Sequence, residues 1–358
     1  MPAAGCSPQT SWTSWALGRL EGLAPPALAD LVRRRAGLPD TTEAREVVGL
    51  HLAALDVSLD LGSPDLFVHQ LRWELTRWPH VAPGSPSVAA AVRSVLEERL
   101  DELTLAAVVR HVGAAESGAA TLEGRAWADR GWHGLSGLTP LGQTHLGLAL
   151  AGRHDEAATH VAGLVADGTP VPEVLLEVIV PAQREVGRLW ERGALTAAQE
   201  REATAVTRTT LSTLSAITSP AGRSGRGPVL VAASAPGDLH DLGPRIVAGL
   251  LQARGWQARY ADPAASADDV VEAVVASGAT LLLLGASMTA HLPSLRQAVG
   301  QVRADPRCGA VTVLVGGEPF RHAPGLGEWV GADLVATQGV DVLRAAAGLV
   351  GTERTAGL

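Results

Sequence analysis

The chain has 358 residues, a formal net charge of −8 and 46% hydrophobic residues, enough for two or three domains that each bury a core. All 29 of its basic residues are arginine, which excludes a lysine Schiff base and a P-loop lysine, and the acidic balance argues against direct nucleic-acid binding. Cys6 and Cys308 are the only cysteines, too few for a disulfide framework or a cysteine metal site.

The N-terminus lacks the charged and apolar runs of a secretory signal. The longest apolar run, near 279–286, is too short to span a bilayer. A cytoplasmic protein without a membrane segment is expected. Tryptophan outnumbers phenylalanine and tyrosine, nine against two and one, which suits a flat ligand.

Residues 1–125 read as a helical domain. Apolar spacing is helical over 43–61 and 65–78, breaks at Pro79, Pro83 and Pro86, and resumes over 87–112 as one long amphipathic segment. A Gly/Ala-rich stretch, 113–137, reads as a linker. Residues 126–222 read as a four-helix bundle. Thr139 caps the first helix and Pro140 sits in its first turn; the others run over 154–166, 172–192 and 196–219.

In the third block, 223–358, short apolar runs (228–234, 257–260, 279–285, 310–316) alternate with helical segments. That alternation predicts βαβ units in a doubly wound, Rossmann-like parallel sheet. The expected fold class is therefore a multidomain α and α/β protein. Ligands of such sheets bind beyond the carboxyl ends of the strands.

The first strand–helix turn of this block carries Asp238, His240, Asp241, Leu242 and Gly243. A phosphate-binding turn would be glycine-rich and would not face an anion with carboxylates. A histidine beside a carboxylate suits a metal, because the carboxylate fixes the tautomer and strengthens the donor nitrogen. A solvated polar turn is the plain alternative.

This turn resembles the Asp-x-His-x-x-Gly motif of the cobalamin-binding family. The resemblance implies that His240 is the lower axial cobalt ligand, displacing the cofactor's dimethylbenzimidazole. It also implies that Asp238 hydrogen-bonds that ligand and that Gly243 makes room for the nucleotide tail. Gly316 and Gly317 match the family's Gly-Gly against the tail. Gly285 stands where a serine contacting the benzimidazole is usual, with Ser287 or Thr289 as substitutes.

In the bundle, Trp190, nine residues and then Glu200 resemble the helical cap of the light-dependent cobalamin regulators. There the tryptophan covers the upper axial group and the glutamate bonds the adenosyl moiety. Arg201 replaces the histidine expected next, and an arginine does not lose its proton to become a cobalt ligand. His133, His145, His154 and His160 remain as other histidine sources, and Trp190 also suits a bundle core.

Residues 1–112 hold 10 Arg against 13 Asp and Glu, unlike a basic DNA-binding domain. They resemble the globin-like sensor segments of proteins called photocobilins. That resemblance implies a bilin such as biliverdin, with His51, His69, Arg72, Trp73 and His80 as candidate contacts, each equally suited to plain packing. Cys6 is a weak candidate for a covalent bilin link.

The leading expectation is a photoreceptor. In it, photolysis of adenosylcobalamin drives a light-dependent change in a homo-oligomer and signals to a partner protein. The alternative is a corrinoid carrier for a methyltransferase system. A mutase subunit ranks last, since nothing resembles a substrate barrel.

Overall fold

The computed structural model describes residues 25–77, 88–98, 100, 102–120, 138–191, 193–218, 227–262, 264–339 and 341–345. Among the described residues five helices come first: α1 (Pro25–Arg35), α2 (Thr42–Asp60), α3 (Pro64–Arg77), α4 (Val88–Glu97) and α5 (Glu102–Ala120). Thr41 starts α2 by accepting the N–H of Ala44 on its hydroxyl.

Their apolar stripes meet in one core, where Leu52 and Leu55 of α2, Phe67 of α3, Val95 and Leu96 of α4 and Val108 of α5 are all buried. The single segment expected over 87–112 is two helices. Both halves face the same core, so the apolar spacing runs on across a turn that periodicity does not register. Helix also extends to Ala120, into the stretch expected as linker.

The second block holds α6 (Pro140–Leu150), α7 (His154–Ala166), α8 (Val171–Glu173), α9 (Val180–Glu191) and α10 (Ala197–Thr218). Thr139 caps α6 by accepting the N–H of Gly142 at 3.1 Å. Helices α8 and α9 are one continuous rod joined by a π-helical turn, Val174–Ile179, which the apolar spacing over 172–192 does not signal.

The cause of that turn is Pro181. It has no N–H for the carbonyl of Glu177 four residues back, so the ladder shifts, and the N–H of Val180 bonds Leu175 instead. The Thr139 hydroxyl, 3.4 Å away, donates to the freed Glu177 carbonyl.

The third block alternates β1 (Val229–Ser234), α11 (Leu242–Gln252), β2 (Gln257–Tyr260), α12 (Ala267–Ser277), β3 (Leu281–Gly285), α13 (Leu292–Ala304), β4 (Thr312–Gly316), α14 (Leu326–Val330) and β5 (Leu334–Ala336). The strands lie all parallel in the order β2-β1-β3-β4-β5. Alternate residues feed two cores: Val231, Leu282 and Val313 on one face, Leu230, Leu283 and Leu314 on the other. Strand β5 is too short for periodicity to announce it.

Both helical blocks sit on this domain. Leu175 of the π-turn packs with Leu250 of α11. From the N-terminal block, Val57 and Leu66 enter the α/β core beside Ala286 and Leu292.

Candidate functional site

The strand order reverses direction between β1 and β3, the topological switch point where open α/β sheets place ligands. The last paired row of the sheet there is Ser234, Gly285, Gly316 and Ala336, all small residues.

The chain leaves β1 through a tight turn. The N–H of Asp238 bonds the carbonyl of Ala235 at 2.8 Å, with Pro236 setting the entry and Gly237 at φ 86°. The Ser234 hydroxyl then donates to the His240 carbonyl at 3.0 Å, pinning the loop.

The site's centre is the pair Asp238 and His240. The Asp238 carboxylate is fully buried, and its Oδ1 accepts both the ring Nδ1–H of His240 at 2.7 Å and the His240 backbone N–H at 3.0 Å. Its Oδ2 accepts the backbone N–H of Ser287 at 2.7 Å, and the Nδ1 of His291 stands 3.4 Å away. Burial pushes the Asp238 carboxyl up, but the hydrogen bonds and charges of His240 and His291 outweigh it and hold the group well below the usual carboxylate range.

The hydrogen bond to Asp238 raises the pKa of the His240 imidazole against a partial desolvation of the ring, with help from the charges of Asp238, Glu200 and Asp241. The His240 side chain is 60% exposed while Asp238 is 0% exposed. Carboxylate on Nδ1 and open space around the ring leave Nε2 as a free σ-donor.

This arrangement fits cobalamin. A Cβ at Gly243 would meet nothing within 4 Å, so the backbone is open where a nucleotide tail must pass. The exposed face of Leu239, 66% accessible, lies between the two key residues and suits contact with a corrin ring. Among the described residues no group of three or more His, Cys, Asp or Glu could hold a free metal ion.

The other expected residues separate into distinct roles. Asp241 turns toward the bundle, where Arg208 of α10 grips it at 2.7 Å and Arg245 of α11 at 2.6 Å. Burial pushes its carboxyl up, and the two guanidinium hydrogen bonds prevail and lower it. Leu242 begins α11 and packs against the bundle core.

A Cβ at Gly285 would collide with Pro244 at 2.8 Å, which accounts for the missing serine. The Thr289 hydroxyl is engaged by the Leu66 carbonyl, 3.3 Å away, whereas Ser287 contributes its backbone N–H to Asp238. At Gly317, with φ 124°, a Cβ would overlap the carbonyl of Ala286, and at Gly316 it would come within 2.5 Å of the Ala336 carbonyl.

From the bundle, Glu200 is half-buried, accepts the Thr204 hydroxyl at 2.8 Å, and lies near enough for its charge to act on His240. Trp190 is half-buried in the last turn of α9, and Arg201 is exposed.

His51 is fully buried with its ring edge-on to Phe67, centroids 5.0 Å apart. His69, Arg72 and Trp73 lie on α3, while His80, Cys6 and His133 fall outside the described residues. Sequence reasoning missed His291, Arg208 and Arg245. Each is a lone basic residue whose role exists only once distant segments meet, so no local pattern flags it.

Residues 228–347 match the family model described as B12 binding domain, and residues 146–215 match a second model of the same description. The chain is similar to dimethylamine corrinoid protein 3 of Methanosarcina acetivorans, at 28% identity over 47% of this chain and 77% of the relative. It is similar to dimethylamine corrinoid protein 3 of Methanosarcina mazei at 27% identity, over 42% of this chain and 90% of the relative.

A solved monomethylamine corrinoid protein from Methanosarcina barkeri aligns remotely, with TM-score 0.49 and 18% identity over 58% of this chain and 98% of that one. A cobalamin-binding protein from Desulfitobacterium hafniense aligns with TM-score 0.32 and 19% identity, over 57% of this chain and 96% of that one.

Cobalamin binding and a Rossmann-like B12-binding domain are thus supported from sequence families as well as from geometry. The photoreceptor expectation is corrected. The curated relatives that match are dimethylamine corrinoid proteins, not light sensors. The cap and the histidine turn, on which that expectation rested, are features a corrinoid carrier shares. Among the described residues no helix is long and apolar enough to cross a membrane.

Proposed function

We propose that this chain is a corrinoid carrier of a methyltransferase system, with residues 223–358 holding cobalamin and residues 126–222 acting as its helical cap. One observation carries the reading: an exposed His240 locked through Nδ1 to a fully buried Asp238, at the switch point of a B12-type sheet and facing a capping bundle. The dimethylamine corrinoid relatives favour a methyl-carrying role for such a site.

When bound, cobalamin supplies a cobalt that takes up a methyl group from one partner and releases it to another. The chain's own residues do the rest. His240 would hold the cobalt through its Nε2. Asp238 holds the Nδ1 proton, so the imidazole keeps one tautomer and one orientation while the demand on Nε2 changes.

Glu200, whose charge acts on His240, and Trp190, in the last turn of α9, would cover the bound cofactor and shield it from water. Arg208 ties that bundle to the α/β domain through Asp241. In this scheme the native upper ligand is methyl rather than adenosyl, the partner is a methyltransferase rather than a signalling protein, and biliverdin has no role. The chain carries the group and the methyltransferases catalyse.

The test is isotopic. The cobalamin-loaded chain, reduced, is incubated in an extract of its source organism with ¹³C-methyl dimethylamine, monomethylamine or methanol. Label recovered as protein-bound methylcobalamin is the expected result, lost in the His240→Ala variant by about 10-fold or more, as for removal of a metal-site anchor. Absence of label with every donor would sink the carrier reading.

A further inference from the structure

The first turn of α11 and the carboxyl end of β3 face each other on one side of the sheet. Leu281 and Leu283 of β3 share a buried core with Ala248 and Leu251 of α11, and Gly285, two residues on from Leu283, points the same way. At Gly243 the helix start is open, since a Cβ there would meet nothing within 4 Å. One residue later the space is closed. A Cβ on Gly285 would stand 2.8 Å from Cγ and 3.2 Å from Cδ of Pro244, so the proline ring lies directly on the end of the strand.

The next glycines of that row are filled as well. At Gly316 a Cβ would come within 2.5 Å of the Ala336 carbonyl, and at Gly317 the Ala286 carbonyl takes its place. These glycines serve the close approach of the chain's own backbone.

The Pro244 ring is held where it is. A proline ring has no rotamers to escape into. The residues around it are pinned: Asp241 is gripped by Arg208 at 2.7 Å and Arg245 at 2.6 Å, and Leu242 packs into the bundle core. On the far side of the ring, Ala232, Arg245 and Tyr260 leave room for no more than a water molecule. His240 depends on none of this, because its ring is held by Asp238 and is 60% exposed.

We propose that this chain selects its corrinoid by the ring and the cobalt and not by the nucleotide tail, because Pro244 seated on Gly285 bars the tail's terminal base from the sheet. Corrinoids without a tail are then held through His240 better than cobalamin is. The inference rests on His240 being the cobalt ligand, and it names the class of corrinoid that the site takes.

The sign follows from the tether. The base of cobalamin is tied to its own cobalt at high effective concentration, and His240 must displace it. A slot that buried the displaced base would offset that cost through the apolar surface removed from water. With the slot closed nothing offsets it. Cobinamide, which has no base to displace, gains the advantage.

The experiment dialyses the full corrinoid-free chain in the dark against an equimolar mixture of methylcobinamide and methylcobalamin, then releases and separates what is bound. Methylcobinamide is expected in excess, by about 10-fold. Equal retention, or an excess of methylcobalamin, overturns the proposal.

Pro244→Ala, which uncovers Gly285, is expected to cut that excess by about threefold or more as the base gains a place to lie. A smaller change overturns the part played by the ring. Adding Gly285→Val to Pro244→Ala refills the space and restores the excess; failure to restore it overturns the same part.

Bound methylcobinamide also reports the ligand, and with it the integrity of each variant's site. It brings no nitrogen of its own, so a nitrogen-ligated absorption spectrum comes from the protein and disappears in His240→Ala. A spectrum that stays water-ligated in the parent removes His240 as ligand, a failure distinct from a reversed preference.

Discussion

The α/β domain is gripped from two sides by different physics. Toward the bundle an ionic rim surrounds an apolar contact: Arg208 and Arg245 converge on Asp241, 8% exposed, while Arg208 itself is 41% exposed, and beside them Leu175 packs on Leu250. Toward the N-terminal block the seam is mainly apolar: Val57 and Leu66 share one buried core with Ala286, Leu292 and Phe320, with a single long ion pair, Arg296 to Asp60 at 4.0 Å, beside it among the described residues. An ionic clasp between partly solvated groups opens and recloses at little cost. An apolar insertion does not open without exposing core. The ionic rim is therefore the part of the bundle seam that salt can loosen, whereas the N-terminal seam has its weight in buried apolar residues.

The difference is sharpest at Leu66. Its truncation to alanine should cost about 2–5 kcal/mol, as for a fully buried leucine, and should make the N-terminal block unfold separately from the α/β domain in urea. A cost under about 1 kcal/mol would mean that the seam is only a surface contact.

A second test concerns the bundle alone. His145 on α6 is fully buried, and neither of its ring nitrogens finds a hydrogen-bond partner among the described residues. Burial, helped by the nearby charge of His160, lowers its pKa from 6.5 to about 4. The unfolded chain then binds the proton more readily than the folded one. Stability is whole above the unfolded pKa of 6.5 and falls as pH drops towards 4, by up to about 3 kcal/mol. His145→Leu should flatten that slope in thermal melts taken from pH 7 to pH 4.5. A slope unchanged by the substitution would break the assignment.

The smallest effect is expected at the ionic seam. Arg208→Ala leaves Asp241 still paired with Arg245, and after screening by solvent it should cost about 1 kcal/mol or less. Hydrogen exchange in α10 should nevertheless quicken. Raising the salt to about 1 M, where the Debye length shrinks to about 3 Å, should mimic the variant at α10 and leave α2 and α3 untouched. Equal salt sensitivity on both sides would erase the contrast.

The sequence shows the β1–α11 turn plainly, because Asp238, His240 and Gly243 lie within six residues on one loop. The strands of the sheet are nearly as plain, since burial on both faces demands continuous apolar runs. What stayed hidden is what joins separate segments. Nothing near His291 in the chain says that it will face Asp238, and nothing near Thr289 says that its hydroxyl will meet Leu66 rather than a benzimidazole. The light-sensing expectation failed for a related reason. Trp190 and Glu200 resemble the cap of the light-dependent regulators, but such a cap is compatible with more than one use of the face beneath it.

The π-helical turn at Val174–Ile179 has a consequence for how the cap is aimed. Successive residues of an α-helix are separated by about 100° around its axis, so one additional residue in a turn rotates everything after it by that angle. Everything from Val180 to Trp190 is clocked by that single residue. Deleting one position in the turn, together with Pro181→Ala to return the missing donor, would swing Trp190 around the rod by about a quarter-turn with the bundle's length almost unchanged. The bundle thus carries an angular setting, written in one proline and one extra residue, that decides which way the side chains of α9 point.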